Sequence, residues 1–155
     1  MSKKMEIGDV IVISYYITPD NVKMQQHSFV VLQTMPGKIA GIEIGLDLEL
    51  EFDLVTAVMS SIKNKKHREK IQSFYPKDMI VEFNDAQIIN GNKKDGFIKT
   101  NQLYYFKKEE ISYMKIGRLN ENTLDKLFEL IEINGNNNEL EYNYNNIIPK
   151  KETVE

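Results

Sequence analysis

Short apolar runs closed by turn signals dominate the first part of the chain. The run DVIVISYYI, residues 9–17, is rich in β-branched and aromatic side chains and ends at a Pro-Asp turn. The run SFVVLQ, residues 28–33, has the same character and ends shortly before Pro36 and Gly37. Residues 46–61 first alternate apolar and acidic side chains and then become continuously apolar, as in a strand that becomes buried along its length. This pattern predicts strands joined by turns.

The middle of the chain keeps the strand pattern with one interruption. Residues 62–72, IKNKKHREKIQ, carry a run of basic side chains and predict either a short helix or a mobile loop. Residues 75–83 and 96–106 return to the strand pattern. Residues 107–117, KKEEISYMKIG, suit a helical turn.

A helix closes the folded part. After Asn120, a candidate N-cap, the apolar residues of LNENTLDKLFELIEING recur at the spacing of one helix face, and Gly135 marks the stop. The asparagine-rich sequence that follows has no sustained periodicity, and only ELEYNYNNII suggests docking. We therefore expect a domain over residues 1–134 and a flexible tail over residues 135–155. The predicted fold class is mainly β with a C-terminal helix (α+β), either a small curled sheet or an SH3-like β-barrel.

Composition narrows the classes of function. The chain has 155 residues, enough for one core, and a net charge of −3, without the basic excess of a dedicated nucleic-acid binder. It has no cysteine and two histidines, which excludes thiolate chemistry and argues against a metal site, so no cofactor is expected. No apolar run reaches the ~18 residues that span a bilayer, so we expect a soluble, cytoplasmic protein without membrane contact.

Two stretches resemble the PemK/MazF toxins of toxin-antitoxin systems. Residues 7–16, IGDVIVISYY, are similar to the opening strand of that family, which typically begins with a Gly-Asp-Val or Gly-Asp-Ile segment. Residues 96–132 resemble its ending, in which a strand closes in Asp/Glu-Gln, here Asn101-Gln102, before a turn, an Ile-Gly step and a final amphipathic helix. The resemblance extends from residue 8 to about residue 133.

The resemblance implies a small SH3-like barrel and a metal-independent endoribonuclease, an mRNA interferase, that cuts single-stranded RNA. It also implies a homodimer that an antitoxin protein neutralises. The family uses an arginine at the start of the second strand and a Thr or Ser at the end of the next long strand. Here the arginine position falls on His27, and the hydroxyl position falls beside Ser60 and Ser61. The arginine is absent, and Gln25-Gln26 replaces the glycine pair that commonly precedes it.

The candidate catalytic residues are therefore His27, Ser60 and Ser61. An imidazole suits proton transfer near neutral pH, and a hydroxyl can steady a phosphate oxygen. The alternative is that His27 is a polar residue at a strand entrance and that the two serines only satisfy backbone groups of a turn.

The basic run supplies candidate RNA-binding residues, because the toxins have a loop bordering the RNA groove at this point. These residues are Lys63, Lys65, Lys66, Arg68 and Lys70. The alternative is a solvated helix face. Tyr104 and Tyr105 are candidate base-stacking rings, although alternation along a strand directs one of two adjacent side chains inward. The acidic residues of the segment 42–53 would repel RNA in such a groove.

The sequence is compatible with three functions. The first is a toxin-like ribonuclease with a rebuilt site, and the second is a catalytically inactive relative that binds a protein or nucleic acid. The missing arginine and the acidic segment motivate the second. In the third, residues 139–146 fold back over the groove as an internal inhibitor.

Overall fold

The computed structural model describes residues 5–18, 20–34, 52–84, 88–89 and 95–145. Within these ranges the protein is mainly β with two α-helices, one of them towards the C-terminus, which confirms the predicted fold class at that level. The strands are β1 (Asp9–Ile13), β2 (Tyr16–Ile17), β3 (Lys23–Met24), β4 (His27–Gln33), β5 (Leu54–Ser61), β6 (Ile80–Phe83), β7 (Ile88–Ile89), β8 (Gly96–Lys99), β9 (Gln102–Phe106), β10 (Tyr113–Leu119) and β11 (Glu141–Tyr144). The helices are α1 (Lys65–Phe74) and α2 (Glu121–Asn136).

One sheet contains most of the strands. Its order is β11-β9-β5-β4-β1-β10-β7, with β8 beside the second half of β5 and β6 on the far side of β8. β5 pairs with β9 over residues 54–56 and with β8 over residues 59–61, so its edge changes partner along its length. β2 and β3 form a separate hairpin. Across the described strands, β7 and β11 stand at the two ends of the order, and the sheet is not closed into a barrel.

One face of the sheet packs against α2, and we call it the α2 face. Asn120 caps this helix as predicted, because its side chain accepts the backbone N–H of Thr123 at 2.9 Å. Near the other end, the amide nitrogen of Asn134 donates to the carbonyl oxygen of Asp78 at 3.0 Å and ties the helix to the short 3-10 turn before β6. The helix and the strands share one buried cluster, which includes Val30, Val55, Ala57, Met59, Ile98, Leu127 and Ile131.

The opposite face carries a cluster of aromatic rings, and we call it the aromatic face. Its members Tyr16, Phe29, Tyr104 and Phe106 make edge contacts, with ring centroids 5.4 to 6.3 Å apart. Tyr105, which alternates with these residues along β9, is buried in the core of the α2 face instead.

Helix α1 covers the neighbouring part of the aromatic face. Its buried residue Ile71 packs with Phe97 of β8, and the ring of Tyr75, just after the helix, lies 5.8 Å from that of Phe97. Phe97 pairs with Ser60, which alternates along β5 with the α2-face residue Met59. The basic helix and the aromatic cluster therefore share one side of the sheet.

Four segments refine or correct the sequence predictions. Helix α2 contains Gly135 and ends at Asn136, so the predicted stop at that glycine is wrong. Residues 65–74 form the helix, which was one of two predicted alternatives for the basic run. The segment predicted as a helical turn has only a short 3-10 turn at Lys108–Glu110 before it enters β10, because β1 offers that strand an antiparallel partner over most of its length. Residues 141–144 of the predicted tail form β11, so the packed structure reaches beyond residue 134 to Asn145. Residues 146–155 lie outside the described ranges.

The Gly-Asp step before β1 has a structural explanation. Gly8 has a φ of +98°, which favours glycine, and a Cβ there would meet the side chain of Leu124 at 3.1 Å. The carboxylate of Asp9 is buried and lies 3.0 Å from Arg118 and 3.2 Å from Lys115, which ties β1 to β10. The backbone conformation therefore explains the glycine of this pair, and the ion pairs between β1 and β10 explain the aspartate.

Candidate functional site

The register of β4 and β5 places His27 and Ser60 opposite each other on the aromatic face. His27 opens β4, Ser60 is near the end of β5, and these antiparallel neighbours pair Ser28 with Met59. Continuing that register by one residue sets His27 opposite Ser60, a position in which Cβ atoms are about 5 Å apart. Both side chains are half-buried. The structure thus brings together two of the three predicted catalytic residues.

Ser61 points away from this pair. Successive side chains of a strand point to opposite faces, so Ser61 lies on the same side of β5 as Met59, towards the α2 face. It is exposed and pairs with Gly96 of β8. Of the two adjacent serines, only Ser60 can act together with His27.

The imidazole of His27 is held in one tautomer. Its Nδ1 lies 2.8 Å from the carbonyl oxygen of Gln25, and because a carbonyl oxygen only accepts hydrogen bonds, Nδ1 carries the proton of the neutral ring. Nε2 then has the free lone pair, which is the arrangement of a general base. Ring contacts with Tyr16 at 6.1 Å and Phe29 at 6.4 Å restrict its orientation.

Tyr16 contacts this imidazole, and Tyr104 contacts Tyr16 in turn. Burial, followed by the neighbouring Tyr104, raises the pKa of Tyr16 to about 12. Burial also raises the pKa of Tyr104, and Glu141 and Tyr75 add to that effect. Both phenols therefore stay protonated near neutral pH and serve as hydrogen-bond donors rather than bases.

The exposed lysines of the basic run form a stripe along one side of α1. Asn64 caps the helix, because its side chain accepts the backbone N–H of His67 at 2.8 Å. Lys63, Lys66 and Lys70 follow at three- and four-residue spacing and line a shallow open groove of ≈ 520 Å³ with Asn64, His67, Glu69 and Ser73. We call these three residues the lysine stripe. Lys65 is exposed but lies outside the groove.

Arg68 differs from the lysines of the same run. Its guanidinium lies 2.9 Å from Asp95 and 3.2 Å from Glu82 of β6. Hydrogen bonding to Asp95 is the main cause that raises its pKa, with Glu82 contributing. Two carboxylates thus offset the charge of Arg68, and the structure assigns it to the junction of α1 and the sheet.

The second histidine has the opposite tautomer. The Nδ1 of His67 accepts the backbone N–H of Lys63 at 3.0 Å, so the proton of the neutral ring is on Nε2. Together with the Asn64 cap, this contact orders the first turn of α1.

Lys99 is a cation of the aromatic face that the sequence did not single out. It lies two residues beyond Phe97 on β8 and therefore on the same side of the sheet as Ser60. Its Nζ is 5.6 Å from the centre of the Tyr75 ring. The backbone of β8 is two strands from His27, about 10 Å across the sheet. A single lysine in a strand does not by itself indicate a functional site. Only the strand register shows that Lys99 lies on the same side of the sheet as Ser60.

The acidic segment was expected beside the catalytic residues, and the part of it that the structure describes is not there. Asp53 directly precedes β5, and its carboxylate accepts the backbone N–H of Lys108 at 2.8 Å. Ser60 is seven residues further along, or about 23 Å at the usual rise of a strand. Asp53 is therefore remote from His27, while residues 42–51 lie outside the described ranges.

No protein-family model matches the chain, and no curated protein matches it significantly. Within the described ranges, no helix combines the length and the apolar character needed to cross a membrane. In the same part of the chain, no three His, Cys, Asp or Glu side chains come together as a possible metal site. The function must therefore be inferred from the arrangement of His27, Ser60, Lys99 and the lysine stripe.

Proposed function

We propose that this protein is a metal-independent endoribonuclease of the PemK/MazF type, with a rebuilt site that cuts single-stranded RNA. The observation that carries the proposal is the placement of His27 beside Ser60 on the aromatic face, with Nε2 of His27 free to accept a proton. The basic helix α1 on the same side of the sheet supports it.

The proposed chemistry is an internal displacement at phosphorus. Nε2 of His27 takes the proton of the ribose 2′-hydroxyl, and the 2′-oxygen attacks the adjacent phosphate. The bond from phosphorus to the 5′-oxygen breaks, the leaving oxygen takes a proton from water, and the protonated His27 gives its proton back to solvent. The hydroxyl of Ser60 donates to a phosphate oxygen as negative charge builds up there, and the ammonium group of Lys99 offsets part of that charge. The products are a 2′,3′-cyclic phosphate and a 5′-hydroxyl.

The same proposal includes a more specific fold than the mainly β class described above. We infer an SH3-like barrel of the PemK/MazF type, supported by the change of partner along β5, which is a means of curling a sheet. We further propose that the protein is a cytoplasmic homodimer and that an antitoxin protein covers its site.

Cleavage in the presence of EDTA tests this function. Mixed single-stranded RNAs should yield products that end in 2′,3′-cyclic phosphate, and a single 2′-deoxy substitution at a cut site should block that cut. If no RNA of any sequence is cut, the enzyme proposal fails.

A second candidate function is a catalytically inactive relative that binds nucleic acid or protein. The absence of the family arginine at His27 favours it, because a cation adjacent to the phosphate is then lacking at that strand entrance. A cleavage assay distinguishes the two functions. If the second is correct, the protein binds RNA or a partner protein, and neither the wild type nor a His27 variant cuts RNA.

A further inference from the structure

Phe74 is the most exposed large apolar side chain among the described residues, at 75% of its full accessible area. It is the last residue of α1. The helix stops there because Tyr75 turns to an extended conformation, with its N–H bonded to the carbonyl oxygen of Ile71 at 3.0 Å, and Pro76 follows. The fold therefore holds a large apolar ring in water at a defined place.

The exposed ring is supported from below by two others. Phe97 is buried on the sheet, Tyr75 lies 5.8 Å above it, and Phe74 meets Tyr75 edge-on at 4.9 Å. Such edge contacts are favourable and restrict the ring that makes them. The contact with Tyr75 restricts the Phe74 ring, and such a restriction lowers the entropy cost of binding a ligand.

Lysines lie beside Tyr75 and one helical turn before Phe74. Lys70, the last member of the lysine stripe, is one helical turn before Phe74 and so on the same side of α1. Lys99 lies over Tyr75, and Lys77 lines a shallow groove together with Tyr75. Glu82 lines that groove too, but its carboxylate already binds Arg68 and Gln72. The surroundings of the ring therefore favour an anionic ligand.

We propose that Phe74 stacks on an unpaired nucleobase of single-stranded RNA while the lysine stripe and Lys99 contact the flanking phosphates. A flat apolar ring among lysines matches a ligand that combines flat bases with a phosphate backbone. The inference rests on the proposed function for the identity of the ligand and adds a base-binding subsite to it. An apolar side chain of a partner protein would gain nothing from the lysines.

Binding of a short, fluorescently labelled RNA carrying 2′-O-methyl groups tests the subsite, because that RNA lacks the attacking hydroxyl and cannot be cut. Phe74→Ala should weaken binding on the order of ten- to a hundredfold, and Phe74→Trp should retain it. Met114→Ala is the matched control, since Met114 is also exposed but lies on β10, two strands away from β4. The dependence of affinity on salt should be the same for Phe74→Ala and wild type, because no phosphate contact is lost.

RNAs that lack one base at a single position identify the nucleotide whose base stacks on Phe74. In wild type, removing one base of the RNA should weaken binding at one position, and in Phe74→Ala the same removal should cost nothing further. Unchanged RNA affinity in Phe74→Ala overturns the inference, as does a loss that no abasic position accounts for. Either result leaves the cleavage proposal standing, whereas RNA that binds through Phe74 but is never cut supports the subsite and refutes the nuclease.

Discussion

The Nδ1 of His27 lies 2.8 Å from the carbonyl oxygen of Gln25, and this contact leaves Nε2 as the imidazole nitrogen that can take a proton. Alanine at this position removes the base, and loss of acid–base catalysis typically costs about 10²- to 10⁴-fold in rate. We expect the initial rate of RNA cleavage by His27→Ala to fall within that range, measured with a labelled substrate in EDTA.

His67→Ala is the control for that measurement. His67 accepts the backbone N–H of Lys63 and orders the first turn of α1, and its ring lines the groove along α1 rather than belonging to the β4–β5 register of His27 and Ser60. With saturating RNA its alanine variant should cut at close to the wild-type rate, and only the affinity for RNA should fall, because His67 lines the groove of the lysine stripe. Equal loss in the two histidine variants would argue against a catalytic role for His27.

The adjacent serines offer a matched pair on opposite faces of β5. Ser60→Ala removes a hydroxyl next to His27, and loss of a donor to a charged oxygen in the transition state slows reactions on the order of a hundredfold. Ser61→Ala removes an exposed hydroxyl on the other side of the strand and should leave the rate unchanged. The comparison requires rates with saturating RNA, and a larger effect at Ser61 would contradict the assigned register.

The lysine stripe and Arg68 should differ in their contribution to RNA binding. Lys66→Gln should reduce the slope of log affinity against log salt by about 0.7, the value for one phosphate contact on a single strand. Arg68→Gln should leave that slope unchanged and lower the melting temperature, because it frees Glu82 and Asp95 from their partner. A lower slope in Arg68→Gln would show that RNA competes for this guanidinium.

Tyr16 should make the protein sensitive to alkaline pH. Its pKa is raised from 10.0 to about 12 in the folded state, so between these values the unfolded chain ionises and the folded protein does not. The stabilisation is therefore complete below pH 10 and is lost as pH rises towards 12, a change of about 2 to 3 kcal/mol.

Denaturant unfolding at several alkaline pH values measures this effect. Tyr16→Phe should flatten the decline of the unfolding free energy between pH 10 and 12, leaving the part that comes from Tyr104. Tyr15→Phe changes the neighbouring ring, which is 51% exposed, and should keep the wild-type decline. An unchanged decline in Tyr16→Phe would mean that this phenol is accessible to water in the folded state.

Much of the fold was visible in the sequence, because apolar alternation and helix caps are local signals. The N-cap Asn120 and the apolar spacing after it placed α2, and the β-branched runs placed β1, β4 and β5. β10 was missed because its sequence has weak alternation of its own and forms a strand against β1. β11 was missed for a similar reason, since Asn143 and Asn145 owe their place to carbonyl oxygens of β9.

The candidate site was only partly predictable. The resemblance to the PemK/MazF toxins suggested His27 and a serine near the end of the next long strand, but one residue of register decides between Ser60 and Ser61. No sequence pattern pointed to Lys99 or Phe74 as site residues, because a lone lysine in a strand and a lone phenylalanine in a helix are both common. Their roles follow from which side of the sheet they share, and that depends on pairings between distant parts of the chain.

The parallel pairing of β11 with β9 has a consequence for how the protein is made. Asn145 bonds to the carbonyl oxygen of Tyr105, forty residues earlier, and β10 and α2 lie between them. During synthesis on the ribosome, β9 can pair with β5 long before β11 leaves the exit tunnel. The far edge of β9 is then an unprotected template, where a strand of another polypeptide can add before the chain's own strand arrives.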